Sequence, residues 1–124
     1  MDGIPAYAKQ QWPRQRQFDR HELQASLRLI APGGAVYRGW CKDVCEGGIG
    51  ATVAASLSVG DEVSLEFQLP VSSEPLRLKA VVRYTSNFYH GFEFTTLSPE
   101  QRKKVQLYLE SKLQAERRTS SFLR

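Results

Sequence analysis

The sequence predicts a mainly β fold, an antiparallel barrel or sandwich followed by a single C-terminal helix. Three observations carry this: six short runs with one apolar face each, no helical stretch between them, and a switch to helical spacing at Ser98. The 124 residues, 41% apolar and 24% charged, suit one domain with a buried core, and no apolar run is long enough to span a membrane.

The elements follow in chain order. Residues 1–19 show no sustained period, contain Pro5 and Pro13, and mix Gln with Arg, which reads as a flexible arm. The arm ahead of the domain is taken as 1–13, the domain as 14–113 and the remainder, 114–124, as a frayed tail. From Leu23, apolar residues alternate as Leu23, Ala25, Leu27 and Leu29, the period of a half-buried strand. Ala31-Pro32-Gly33-Gly34 ends it with turn chemistry. A second extended run covers Val36 to Val44, stops at Gly47-Gly48, and a short third strand runs from Ile49 to Val53.

The two clearest strands come next. Val63, Leu65, Phe67 and Leu69 alternate with polar residues, as do Leu76, Leu78, Ala80, Val82 and Tyr84. Pro70 to Pro75 forms the loop between them, and Tyr89 to Thr95, with Phe92 and Phe94 on one face, is the last strand. Ser98-Pro99-Glu100-Gln101 then offers an N-cap, a first-turn proline and a Ser-x-x-Gln capping box. Val105, Tyr108, Leu109 and Leu113 follow at helical spacing, predicting a helix of about four turns whose apolar stripe lies on the sheet.

Composition narrows the function classes. The net charge of +4 is uneven: residues 1–30 carry +2, residues 31–98 carry −2 and residues 99–124 carry +4. An anionic partner is therefore expected to meet the termini before the body. Cys41 and Cys45 lack the further ligands of a zinc site. On one strand they would stand about 13 Å apart, too far for a disulfide, so both are expected as free thiols of a reducing compartment. With no signal-peptide pattern in the first residues, the expected location is the cytoplasm. His21 and His90 have no Ser/Asp or Cys/Asp grouping near them in sequence, and no catalytic set is found; the chain is not expected to be an enzyme.

Two short motifs carry the functional information. Arg16-Gln17-Phe18-Asp19-Arg20 is an Arg-x-x-x-Arg pair where the arm meets the first strand. Asp43-Val44-Cys45-Glu46-Gly47-Gly48 has the form Asp-x-Cys-x-x-Gly between the second and third strands. In this order they resemble the two signatures of the PilZ family, Arg-x-x-x-Arg and Asp/Asn-x-Ser-x-x-Gly. The His90-Gly91-Phe92-Glu93-Phe94 strand and the Leu97-Ser98-Pro99-Glu100 lead into the helix look like that family too, so the resemblance spans roughly residues 14 to 113.

The resemblance implies a six-stranded antiparallel β-barrel with a C-terminal α-helix and a flexible N-terminal arm, acting as a bacterial receptor for cyclic di-GMP in second-messenger control of motility or biofilm. By similarity, Arg16 and Arg20 hold the ligand, with Arg14 as an additional charge. A guanidinium fork grips a phosphate or the O6/N7 edge of guanine with two parallel hydrogen bonds. Asp43 would accept the N1–H and N2–H of a guanine, and Gly48 would let backbone approach the nucleotide. Cys45 stands where the family has serine, and a thiol is the poorer donor, weakening that contact by about 0.5–1.5 kcal/mol. Many members carry a tandem Arg-Arg where this chain has Gln15-Arg16, which bears on whether one ligand or a stacked pair is held.

The implied mechanism is a disorder-to-order change: the arm folds over the ligand, and the new surface is read by a downstream protein. Two alternatives stand beside it. One is a PilZ-like interaction module of motility or pilus machinery that no longer binds the nucleotide. The other is a small-barrel binder of RNA or single-stranded DNA, disfavoured because the strands do not interleave aromatic and basic residues and their segment is net acidic.

Overall fold

The computed structural model describes residues 21–70 and 72–122, with side chains to residue 115. Six strands form one closed barrel: β1 (His21–Ile30), β2 (Val36–Cys45), β3 (Gly48–Val53), β4 (Glu62–Phe67), β5 (Leu76–Ser86) and β6 (Tyr89–Thr96). Their order around the barrel is β1-β2-β3-β6-β5-β4, with every neighbouring pair antiparallel. Closure between β1 and β4 leaves no free edge in the sheet.

The alternation read from the sequence is the alternation of burial. Leu23, Leu27 and Leu29 of β1, Val63, Leu65 and Phe67 of β4, and Leu76, Leu78, Ala80 and Val82 of β5 point inward and meet Ile49, Ala51, Val53 and Phe92 in one core. The β1–β2 turn places Gly33 (φ 93°) and Gly34 (φ 99°) in the left-handed region, which glycine reaches without steric cost. The β5–β6 hairpin turns on Asn87 at φ 56°, the one described non-glycine residue there.

The helix α1 runs Pro99–Phe122. Its capping box is formed: the Gln101 amide donates to Ser98 Oγ and the Ser98 amide to Gln101 Oε1, both at 3.0 Å. Val105 and Tyr108 are buried against the barrel, and Leu109 packs beside them. The Tyr108 hydroxyl donates to the Glu22 carbonyl (3.1 Å) and the Gln106 amide to Glu46 (3.2 Å), so the helix lies across the barrel end where β1 begins and β2 turns into β3.

Two expectations about this end are corrected. The helix is longer than four turns and takes up most of the expected tail 114–124, because Ala115-Glu116-Arg117-Arg118 are good helix formers with no Gly or Pro among them. Leu113, expected on the buried stripe, is 37% exposed, and core packing along the helix ends at Leu109. Among the described residues no helix is long and apolar enough to cross a membrane.

Candidate functional site

The local geometry begins with a β-bulge. Along β2, Tyr37, Gly39 and Cys41 face inward, and strict alternation would send Asp43 inward too. The β2–β3 register instead slips between Cys41 and Asp43: Cys41 pairs with Ala51, but Asp43 pairs with Gly50, leaving Lys42 as the extra residue. The slip reverses the phase, so Val44 enters the core at 0% exposure while Asp43 turns to the outer face, half-buried. Cys45 follows two residues later opposite Gly48 and is buried.

Across the barrel wall the register aligns Tyr84, Gly91, Gly50 and Asp43 on β5, β6, β3 and β2. Two adjacent glycines leave a shallow floor on the outer face, and Tyr89 lies over it. Its hydroxyl donates to Asp43 Oδ2 (3.0 Å), and its ring meets Tyr84 edge-on at 6.2 Å. A Cβ on Gly50 would collide with the Tyr89 hydroxyl and stand 2.7 Å from Asp43 Oδ1. A Cβ on Gly48 would run into the Phe92 carbonyl, so this glycine is required first of all by the close approach of β3 and β6.

The floor is flanked by acids. Glu22 pairs in register with Asp43, Glu93 pairs with Gly48, and Arg83 reaches across to Glu93 at 2.6 Å. Behind the floor, burial and the neighbouring Asp43 carboxylate push the Cys41 thiol up to about 12. Cys41 and Cys45 are both buried and form no disulfide among the described residues. Among the described residues no group of three or more His, Cys, Asp or Glu is placed to hold a metal ion.

Of the residues expected at the site, the fold brings Asp43, Cys45 and Gly48 together at one β2–β3 turn. Arg14, Arg16 and Arg20 lie outside the described residues. His21, which directly follows Arg20, opens β1 paired with Val44, and Glu22 is paired with Asp43. The chain therefore joins the barrel beside the second motif. Tyr84, Tyr89 and Gly50, which are not among the residues expected from the sequence, also line this floor. A usable signal existed: Tyr89 and Gly91 alternate out of phase with Phe92 and Phe94, which puts an aromatic ring on the outer face of β6.

The PilZ domain family profile matches residues 14–111. The chain belongs to the PilZ domain family. Among solved structures, the PilZ domain with c-di-GMP of YcgR from Escherichia coli is 15% identical with a TM-score of 0.65, the match covering 87% of this chain and 98% of that one. The Bacillus subtilis inhibitor of motility MotI/DgrA is 19% identical with a TM-score of 0.66, over 82% of this chain and 52% of its own. The MrkH–c-di-GMP complex from K. pneumonia is 17% identical with a TM-score of 0.68, over 85% of this chain and 56% of that one. This PilZ chain thus spans a whole isolated YcgR domain but about half the length of MotI and MrkH. At these identities the likeness is one of fold. The search of curated proteins found no match.

Proposed function

We propose that this PilZ chain is a receptor for cyclic di-GMP that passes its liganded state to a partner protein and catalyses no reaction. The observation that supports it is the pairing of His21 with Val44 and Glu22 with Asp43, which tethers the Arg-x-x-x-Arg segment beside the Asp-x-Cys-x-x-Gly turn. Arg20 is one bond from that junction, and Arg16 lies within roughly 18 Å of His21 at full extension of about 3.5 Å per residue.

Electrostatics divides the labour between the two motifs. The barrel wall around Asp43 carries Glu22 and Glu93 and cannot attract a doubly anionic ligand by itself. The positive charge that holds the phosphates comes from Arg16 and Arg20, with Arg14 adding to it, while Asp43 accepts the N–H donors of a guanine edge over the glycine floor. Gly50 and Gly91 keep that floor low, Gly48 lets the backbone at the turn lie close to the nucleotide, and Cys45 takes the position of the family's serine. Cyclic di-GMP is the only small molecule this reading requires; no cofactor or metal enters it. Two of the solved relatives are complexes with c-di-GMP, and a third is an inhibitor of motility.

Isothermal calorimetry tests the reading. The native chain is expected to bind cyclic di-GMP at micromolar concentrations, and not GMP or cyclic AMP. Arg16→Ala, Arg20→Ala and Asp43→Ala should each weaken binding at least tenfold, as expected for loss of one charge-assisted contact of about 1.5–3 kcal/mol. Cys45→Ser should bind as well or better. Absence of heat with the native chain would favour the second reading, an interaction module without a nucleotide, for which Cys45 in place of serine speaks.

A further inference from the structure

Between His21 and Ser98 the chain carries eight carboxylates and six cations, so the barrel as a whole is net acidic. The fold nevertheless gathers four of those six cations on one wall. In register across β2, β1, β4 and β5 stand Arg38, Arg28, Glu66 and Arg77, and the next row holds Val36, Ile30, Ser64 and Lys79. This wall lies across the barrel from the Asp43 floor, which is centred on β3.

Glu66 is shared, 3.3 Å from Arg28 on one side and 3.3 Å from Arg77 on the other. Arg38 and Lys79 are exposed and form no ion pair among the described residues. Among the described residues Glu62 of β4 and Glu74 of the β4–β5 loop form no ion pair with either. Arg28 directly faces Arg38, an opposition of like charges that destabilises a strand pair. The wall is also concave: a groove of about 480 Å³ runs between Arg28, Ile30, Ser64, Glu66, Arg77 and Lys79.

We infer that this groove docks an acidic segment of a protein partner, with carboxylates meeting Arg28, Arg38, Arg77 and Lys79 and an aliphatic side chain meeting Ile30 and the 49% exposed Val36. Charge complementarity selects the acid, since the four cations have only one carboxylate among them. Closure of the barrel excludes strand addition, so recognition runs through side chains, for which bidentate arginine is suited. Glu66 at the centre repels a continuous phosphate backbone. The nearest exposed aromatic, Trp40, has its indole N–H tied to Gln24 (2.7 Å), so no stacking row for bases is present in the patch. The inference stands apart from the nucleotide reading, and its test uses no cyclic di-GMP.

The test is an NMR titration of the full chain with a short synthetic peptide of alternating Glu and Val, at low salt. The amides of Arg28, Ile30, Ser64, Glu66, Arg77 and Lys79 should shift together. The double variant Arg38→Ser/Lys79→Ser removes exposed side chains without ion pairs and should weaken the peptide about tenfold, two exposed charge contacts' worth. The charge-matched control Arg102→Ser/Lys103→Ser, on the helix, should leave affinity within about twofold. Equal weakening by both variants would overturn the inference, because net charge alone would then explain binding. Tighter binding of a single-stranded oligo-dT, or of phosphatidylglycerol vesicles, at the same amides would overturn it in favour of a phosphate surface.

Discussion

Gly48 and Gly50 are two residues apart on β3, yet alanine should cost very different amounts at the two positions. At Gly48 the added Cβ meets backbone: the Phe92 carbonyl oxygen, its carbon at 3.1 Å and Glu93 Cα at 3.2 Å. These atoms are held by the β3–β6 ladder, so β3 must move as a whole. Overpacking of about 1–3 kcal/mol plus one or two ladder hydrogen bonds at about 1 kcal/mol each gives about 2–5 kcal/mol for Gly48→Ala. At Gly50 the obstacles are two side-chain tips, the Tyr89 hydroxyl and Asp43 Oδ1 at 2.7 Å, both of which can swing away. The cost is then the hydrogen bond to the half-buried Asp43 carboxylate, about 1–2 kcal/mol after discounting for solvent. For a chain of this size each kcal/mol moves Tm by about 3–5 °C, so losses of roughly 6–25 °C and 3–10 °C are expected in thermal denaturation followed by circular dichroism. The Gly50→Ala penalty should shrink in a Tyr89→Ala background to what the Asp43 contact leaves, while the Gly48→Ala penalty should persist in full. Equal penalties, or a Gly50→Ala cost that is unchanged without Tyr89, would refute the geometry of the glycine floor.

His90 is buried, its Nε2 donates to the Val53 carbonyl (3.1 Å) and its Nδ1 has no hydrogen-bond partner among the described residues. Burial lowers its pKa, against a weaker opposing pull from the carbonyls of Val53 and Ala55. The unfolded chain therefore binds this proton first, so stability falls as pH drops below the ordinary histidine value near 6.5, by up to about 1.4 kcal/mol per pH unit. Urea midpoints between neutral and mildly acidic pH should show the slope in the native chain and a shallower one in His90→Gln; an identical slope would assign it to other groups. Ser98→Ala should cost about 1 kcal/mol of stability by opening the capping box, with Ser98→Asp retaining most of it. Cys41, buried and held protonated, should resist iodoacetamide in the folded chain and react only when urea unfolds it, as read by mass spectrometry. Rapid labelling of Cys41 without denaturant would contradict the packing described.

Strands β1, β4 and most of β5 were legible because each has one wet face and one dry one, so period two survives from Leu23 to Leu29, Val63 to Phe67 and Leu76 to Val82. The capping box was legible because Ser98, Pro99 and Gln101 act within one turn. What escaped depended on register. Nothing local marks Lys42 as a bulge residue, and without that slip Asp43 would share the inward phase of Cys41. Tyr84 shares the apolar phase of Val82 in the sequence and turns outward only through a second slip, between Val82 and Tyr84. The basic wall was invisible for the same reason, since Arg28, Arg38, Arg77 and Lys79 meet only through three strand pairings. The helix end was misplaced because the apolar stripe fades after Leu109 while helix-forming residues continue. The motif arginines were read by resemblance, and where the arm joins the barrel is what the fold adds to that reading.

The account rests on the arginine arm and the Asp43 turn closing on the same nucleotide. Hydrogen exchange read by mass spectrometry, with and without cyclic di-GMP, tests this directly, since residues in one closed site gain protection together. The account predicts that peptides covering residues 14–20 and residues 43–50 both slow on ligand addition, and that Arg20→Ala removes the effect from both. Protection of either segment with no change in the other would contradict it.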